Sequence, residues 1–373
     1  MPTLRGRQKG SQGTIPPMLA RRSATLIEAL AAVAPGRALR EGIDRILQAN
    51  MGALIVVGDG PDVLAICSGG FLLDAEFSPQ RLSELAKMDG AIILAPDASR
   101  IARANVHLVP NPNVPTSETG TRHRTAERVA RSIDVPVLSV SEELSLIAVY
   151  RGAVKHPLEA IPRLLARANQ ALQTLERYKA RLDNVSGSLS ALEVEDLVTV
   201  RDVVTVLQRA EMVRRIAEEI DGYIVELGED GRLVRLQLEE LMGGVEDDRR
   251  LVIQDYFRDE KSFELERAME ILAEYSTEDL LDLKMVVDVL HLPGTAALDV
   301  NIQPRGYRLL SKVPRLPDNL VERIIERFGS LQKILRATIS DLDDVEGVGD
   351  VRARAIRDGL SRLAETSILD RYS

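Results

Sequence analysis

Tryptophan is missing from this chain of 373 residues, and aromatic residues together make up only 3% of it. Its cores must therefore be filled by Leu, Ile, Val and Ala. A single cysteine, Cys67, excludes an intramolecular disulfide and suits a reducing compartment, so a cytoplasmic protein is expected. Cys67 closes the apolar run Val63–Cys67 and reads as a buried core thiol, not a nucleophile. No apolar stretch approaches the ~20 residues of a membrane helix. Arg5, Arg7 and Lys9 are not followed by an apolar segment, which argues against a secretion signal and for a flexible tail over residues 1–22. A P-loop Gly-Lys-Ser/Thr is lacking, and Gly58-Asp59-Gly60 has no following helix to make it a dinucleotide fingerprint.

What is present is ordinary for a globular protein: 45% hydrophobic and 28% charged residues, in a length that calls for two or three domains. The net charge of -9 means that any nucleic-acid contact must come from a local patch.

Three regimes follow one another. Residues 23–150 alternate short strands with amphipathic helices. Ala53–Val57, Val63–Cys67, Ala91–Ala95, Val106–Val109, Val135–Val140 and Leu144–Tyr150 read as strands; Leu26–Val33, Leu39–Leu47, Pro79–Lys87 and Arg122–Ile133 read as helices. Gly58 to Asp62 reads as a hairpin turn between the first two strands. This predicts an α/β domain, a mixed sheet flanked by helices. Residues 151–310 show helical periodicity, as in Ile161, Leu164, Leu165, Ala168, Leu172 and Leu175, and predict an all-α spine. It ends in a linker with Pro293, Gly294, Pro304 and Gly306. Residues 311–373 form a small helical domain with eleven basic and eleven acidic residues, the part least repulsive to a polyanion.

The strongest chemical signal is Ser117 to Arg128, a polar loop with Gly120 entering a helix whose apolar spacing starts at Ala126. Thr121 is the expected N-cap. Free N–H groups would then emerge beside Arg122, His123 and Arg124. A bland reading makes these a solvated helix start, but cations there oppose the helix dipole, by about 0.3–1 kcal/mol each. An anionic ligand such as a triphosphate resolves that conflict. The second signal is Met88-Asp89-Gly90-Ala91 before a strand: Gly90 permits close backbone approach and Asp89 presents a carboxylate at the strand tip. Alone, Asp-Gly is commonly just a turn.

Taken together, Asp89-Gly90-Ala91 and Gly120-Thr121-Arg122-His123-Arg124-Thr125-Ala126-Glu127-Arg128 resemble the diadenylate cyclase family. The order of domains behind them is similar to that of its DNA-integrity-scanning members, over essentially the whole chain. The resemblance implies condensation of two ATP molecules into cyclic di-AMP and two pyrophosphates. It implies that Asp89, Arg122, His123 and Arg124 act in catalysis, with Asp89 as ligand to Mg2+ or Mn2+ or as activator of the 3′-hydroxyl. Gly90, Ala91, Leu108 and Thr121 to Thr125 would hold the nucleotide, with Leu108 at the adenine. His123 would contact phosphate or metal. Because the product is symmetric, two loaded domains must face each other, so an even-numbered homo-oligomer is required; the resemblance implies an octamer. His107 reads as a core or edge residue, and His156 and His291 have no evident partner.

In the last domain, Leu342 to Ile356 looks like a helix-hairpin-helix. Gly347 and Gly349 would let main-chain N–H groups reach a phosphate, and Arg352 and Arg354 would add charge. Pro314 to Ile325 looks like a degenerate first copy lacking the glycine pair. Such contacts grip DNA without reading sequence, and the family implies branched or junction-like forms and a place at the nucleoid. Five acidic residues within Asp341–Asp350 favour the competing reading, a protein-docking domain. The alternatives to an enzyme are a non-catalytic adenine-nucleotide-binding DNA-structure sensor and a structural nucleoid protein.

Overall fold

The computed structural model describes residues 24–142, 146–257, 265–291 and 298–372; the expected N-terminal tail, the start of the Leu144–Tyr150 strand, and Pro293 and Gly294 lie outside them. The chain divides into two compact units, residues 1–165 with 222–232, and residues 166–221 with 233–373.

The first unit runs α1 (Ala24–Ala32), α2 (Ala38–Gln48), β1 (Ala53–Val57), α3 (Pro61–Ala65), β2 (Cys67–Ser68), β3 (Phe71–Glu76), α4 (Pro79–Leu85), β4 (Ala91–Leu94), β5 (Arg100–Leu108), α5 (Thr121–Ile133), β6 (Val137–Ser141), β7 (Leu146–Arg151) and β8 (Val154–Pro157). The strands form one mixed sheet in the order β2-β5-β4-β1-β6-β7-β8, with β3 also paired to β5; β1 and β4 are parallel and the other pairs antiparallel. All five residues of β1 and all four of β4 are buried, the signature of strands covered on both faces. Ile55, Ile92 and Leu94 face a core with α1, α2 and α4, while Leu54, Val56 and Ile93 face one with Ala126, Val129 and Ala130 of α5. The predicted mixed sheet flanked by helices is the observed one.

Three local expectations change. Gly58–Asp62 is no hairpin: Pro61 takes the first position of α3, where its missing N–H costs nothing, and Val63 enters the core from this helix. The expected strand Val63–Cys67 is therefore mostly helix. A short helix does follow Gly58-Asp59-Gly60, but Asp59 is engaged by Arg100, 2.5 Å away. Cys67 is half-buried, with burial pushing its thiol pKa up. Sequence patterning also passes over β3, which lies on the sheet edge with Phe71, Leu72 and Leu73 exposed, and β8, which the helical spine was expected to contain.

Two long helices follow, α6 (Ile161–Glu195) and α7 (Val200–Leu227). The last turns of α7 and the adjoining 3-10 turn Gly228–Gly231 belong to the first unit. There His156 Nε2 lies 3.1 Å from the Glu226 carboxylate, giving that histidine a partner.

The second unit contains α8 (Arg232–Met242), α9 (Val245–Tyr256), α10 (Leu265–Glu274), α11 (Thr277–Leu281), α12 (Leu283–Val289), α13 (Tyr307–Ser311), α14 (Asp318–Phe328), α15 (Leu331–Arg336), α16 (Ile339–Asp343) and α17 (Gly349–Tyr372). Leu309, Val313, Ile324, Leu331, Leu342, Val348 and Ile356 form the centre of a core shared by the last five helices. His291 packs on Phe257, with ring centroids 5.0 Å apart. Among the described residues no helix is long and apolar enough to cross a membrane.

Candidate active site and nucleic-acid interface

The Asp89 and Arg122 side chains, far apart in sequence, meet at 3.4 Å. Asp89 stands on the tight connection between α4 and β4 and is fully exposed; Arg122 is partly covered. Two glycines make the meeting possible. A Cβ on Gly52 would lie 2.0 Å from Arg122 Nη1, so the guanidinium passes directly over that residue. A Cβ on Gly90 would lie 2.5 Å from the backbone of Asn105, which takes φ 53 at an irregularity of β5. Gly52 and Asn105 carry no signal in the sequence that could have marked them.

Gly52 and Gly90 immediately precede β1 and β4, so the meeting of Asp89 and Arg122 lies at the amino ends of the parallel pair. Open α/β sheets more commonly bind ligands at the carboxyl ends. Here the helix that supplies the cations, α5, begins on that side.

The cap of α5 is Gly120, not Thr121: Thr121 is the first helical residue and Gly120 has no side chain with which to accept a hydrogen bond. The first backbone bond of the helix runs from Arg124 N to Gly120 O at 2.8 Å, which leaves the N–H groups of Thr121, Arg122 and His123 without intrahelical acceptors. Thr125 Oγ1 donates back to Thr121 O at 2.9 Å. Arg124 is exposed and, among the described residues, its side chain has no ion pair.

The loop before α5 is tied to that helix. Glu127, buried, accepts from Thr116 Oγ1 at 2.5 Å and Ser117 N at 3.0 Å; Arg128 and Arg131 donate to the carbonyls of Val114 and Pro115 at 3.0 and 3.1 Å. Glu127 and Arg128 thus shape the loop.

His123 Nδ1 and the Tyr150 hydroxyl are 3.0 Å apart, and Glu118 accepts from Tyr150 while pairing with Lys155 at 2.6 Å. Burial lowers the His123 pKa and raises that of Tyr150. If Tyr150 gives its single proton to Glu118, a neutral His123 would donate from Nδ1 and leave Nε2 as an acceptor. That suits a hydroxyl or a metal better than a phosphate oxygen.

Ala91 is buried at the start of β4 and pairs with Val106. The antiparallel register carries His107 and Leu108 on toward Gly90 and Asp89. His107 is exposed, and Leu108, 6% exposed, closes the edge against Cys67.

In the second unit, Gly347 and Gly349 both adopt left-handed backbone, φ 91 and 66, around the buried Val348. Arg352 Nη1 donates to Gly347 O at 2.8 Å and braces the hairpin, while Arg354 pairs with Asp350 at 2.9 Å on the surface. Asp341 closes a capping box with Thr338 at the start of α16, so one of the five acidic residues here has a structural task.

A mixed sheet flanked by helices, with an acidic strand tip set against an arginine-bearing helix start, defines a nucleotide-binding domain of the diadenylate cyclase class. Residues 40–154 match the family described as DisA bacterial checkpoint controller nucleotide-binding, and residues 158–298 match the DisA bacterial checkpoint controller linker region. The chain is 58% identical over 345 residues to the DNA integrity scanning protein DisA of Frankia alni, covering 92% of this chain and 96% of that one. It is also 58% identical to that of Kineococcus radiotolerans, with 93% and 97% covered, and 54% identical to that of Streptomyces griseus, with 98% and 97% covered. The chain belongs to the DNA integrity scanning protein DisA family.

Proposed function

We propose that the protein condenses two ATP molecules into cyclic di-AMP and that its C-terminal hairpins bind DNA without reading sequence. The observation that carries the first part is the approach of Asp89 to Arg122 beside three free N–H groups of α5. A triphosphate laid along that helix start would meet main-chain donors, a favourable dipole and the guanidiniums of Arg122 and Arg124. Thr121 to Thr125 would line the phosphates, with Gly90, Ala91 and Leu108 toward the base.

Each 3′-oxygen attacks the α-phosphorus of the other ATP; a P–O bond forms, the bond to pyrophosphate breaks, and the hydroxyl proton leaves. Asp89 would take part in that proton's removal. Arginine charge stabilises the departing pyrophosphate. The exposure of Asp89 supports a reaction across a two-fold axis, since its carboxylate must reach a nucleotide held by a second copy. An even-numbered homo-oligomer follows from this reading, and the octamer that the resemblance implies would satisfy it.

The donors available suit a hard divalent cation. Asp89 offers carboxylate oxygens with open space around them, and Mg2+ or Mn2+ is commonly held by one or two carboxylates plus substrate phosphates. Asp89 would hold the ion, which supplies charge neutralisation at the α-phosphate.

Incubating the purified protein with ATP and Mg2+ or Mn2+ and analysing products by mass spectrometry tests this reading. Cyclic di-AMP is expected. ATP bound but unchanged would favour the nucleotide-binding sensor instead. For DNA, the exposed left-handed Gly347 and Gly349 on either side of the buried Val348 support a main-chain grip on phosphate that weakens steeply with salt. DNA integrity checking accords with the relatives' name; branched DNA as the ligand and a cytoplasmic, nucleoid-associated setting belong to the same proposal.

A further inference from the structure

Tyr150 lies on β7 with 1% of its surface exposed, and its ring belongs to the core that Ala126, Val129 and Ala130 of α5 complete. Pairing with Val137 of β6 on one side and Lys155 of β8 on the other fixes its backbone in the sheet. The hydroxyl comes out at the first turn of α5, 3.0 Å from His123 Nδ1.

That hydroxyl has one proton and two neighbours able to accept it, His123 Nδ1 and the Glu118 carboxylate. Glu118 has the stronger claim, because it is anionic while burial keeps His123 neutral. Glu118 is also held in place. Its N–H donates to Thr116 Oγ1 at 3.1 Å, Thr116 donates in turn to the buried Glu127, and Lys155 pairs with the Glu118 carboxylate at 2.6 Å. Tyr150 then faces His123 as an acceptor, so the imidazole proton belongs on Nδ1 and Nε2 carries a lone pair. Among the described residues Nε2 makes no hydrogen bond.

We propose that Tyr150, by giving its proton to Glu118, is a positioning residue for cyclisation: it presents His123 Nε2 to the nucleotide site as an electron-pair donor, toward a hydroxyl proton or a divalent cation. The inference rests on the cyclase reading above. Without the phenol hydroxyl the ring is free to carry its proton on Nε2, the form that an unpartnered imidazole favours, and the lone pair leaves the site.

The experiment uses the full chain. ATP affinity is measured by calorimetry in EDTA, stability by melting temperature, and cyclic di-AMP formation by mass spectrometry across ATP and Mn2+ series. No product from the unaltered protein sinks the cyclase reading and this inference with it. Given turnover, Tyr150→Phe should keep its ATP affinity and melting temperature, with KM for ATP little changed and kcat lowered by about 10- to 100-fold. Glu118→Ala should lose as much, because the Tyr150 proton then turns to Nδ1. Glu118→Gln keeps an acceptor but gives up the charge facing Lys155, and it should restore most of the rate. Tyr150→Phe combined with Glu118→Ala should be no slower than Tyr150→Phe alone, since Glu118 acts through the hydroxyl. A deficit relieved by excess Mn2+ would identify the group at Nε2 as the cation, and one indifferent to Mn2+ as a hydroxyl. Unchanged kcat in Tyr150→Phe, Glu118→Gln as slow as Glu118→Ala, or additive losses in the double variant would overturn the positioning role.

Discussion

Arg308 Nη1 lies 2.7 Å from Glu193 Oε1, and both side chains are 1% exposed. Tyr256 donates to the same carboxylate oxygen at 2.8 Å, and Arg308 Nη2 reaches Ser186 Oγ at 2.9 Å. Asp255, next to Tyr256 in the chain, caps α13, accepting from the N–H groups of Gly306, Tyr307 and Arg308 at 2.6, 2.6 and 2.9 Å. These buried polar groups join α6, α9 and α13 within the second unit.

Breaking a buried pair by removing one partner costs about 3–5 kcal/mol, because the other charge is left uncompensated. Arg308→Met should lower the urea midpoint of the second unit accordingly, followed by circular dichroism. Adding Glu193→Gln should recover part of the loss, since Tyr256 keeps its acceptor and the orphan charge is gone. A double variant less stable than Arg308→Met alone would contradict this account.

Asp255 gives the second unit a pH dependence. Burial, with Glu193 nearby, pushes its pKa up to about 7 against the opposing pull of three N–H donors. A raised carboxyl pKa means that the folded state holds the proton longer. The stability it contributes is complete below about pH 4, where the unfolded chain is protonated too, and is lost as pH rises through about 7. Thermal unfolding followed between pH 4 and 8 should show this decline, and Asp255→Asn should flatten it. An unchanged slope in the variant would assign the dependence to other groups.

The two glycines of the cleft should behave differently. At Gly90 an added methyl meets the backbone of Asn105, which cannot step aside, so Gly90→Ala should destabilise by about 1–3 kcal/mol. At Gly52 it meets the tip of the Arg122 side chain, which can swing away, and a single backbone atom, the Val140 carbonyl oxygen at 3.2 Å, a milder crowding than the 2.5 Å at Gly90. Gly52→Ala should keep its melting temperature and lose ATP affinity by roughly tenfold or more in calorimetry, the loss of one charge-assisted contact. Equal affinity would show that Arg122 does not hold its place for nucleotide.

Asp89 and Arg122 should separate chemistry from binding. Asp89→Asn should bind ATP nearly as before while cyclic di-AMP formation falls by about 100- to 10,000-fold, measured by product mass spectrometry. Arg122→Ala combined with Arg124→Ala should abolish ATP binding. Turnover at the original rate in Asp89→Asn would remove its role.

Much of the first unit was legible because its central elements are locally consistent. β1 and β4 are uninterrupted runs of Val, Ile, Leu and Ala, and α5 carries a clear apolar stripe at Ala126, Val129 and Ala130. The errors fall where local pattern and tertiary setting disagree. β3 exposes its hydrophobic residues on a sheet edge, so no alternation marks it, and α3 is a five-residue helix inside a run rich in β-formers, started by Pro61. The cap of α5 was misplaced by one residue because a threonine is ordinarily the better acceptor than glycine.

Sequence alone determined that a glycine-led loop ends in a helix start bearing two arginines, that a carboxylate stands at a strand tip, and that a left-handed glycine pair makes a hairpin. Each follows from interactions among near neighbours in the chain. Only the tertiary structure decided that Asp89 meets Arg122 across Gly52, that Asn105 crowds Gly90, and that Arg323 packs against Gly347. Those relations depend on strand order and register, which are set by how both faces of the sheet and the helical core are buried, and no local run of residues carries that information.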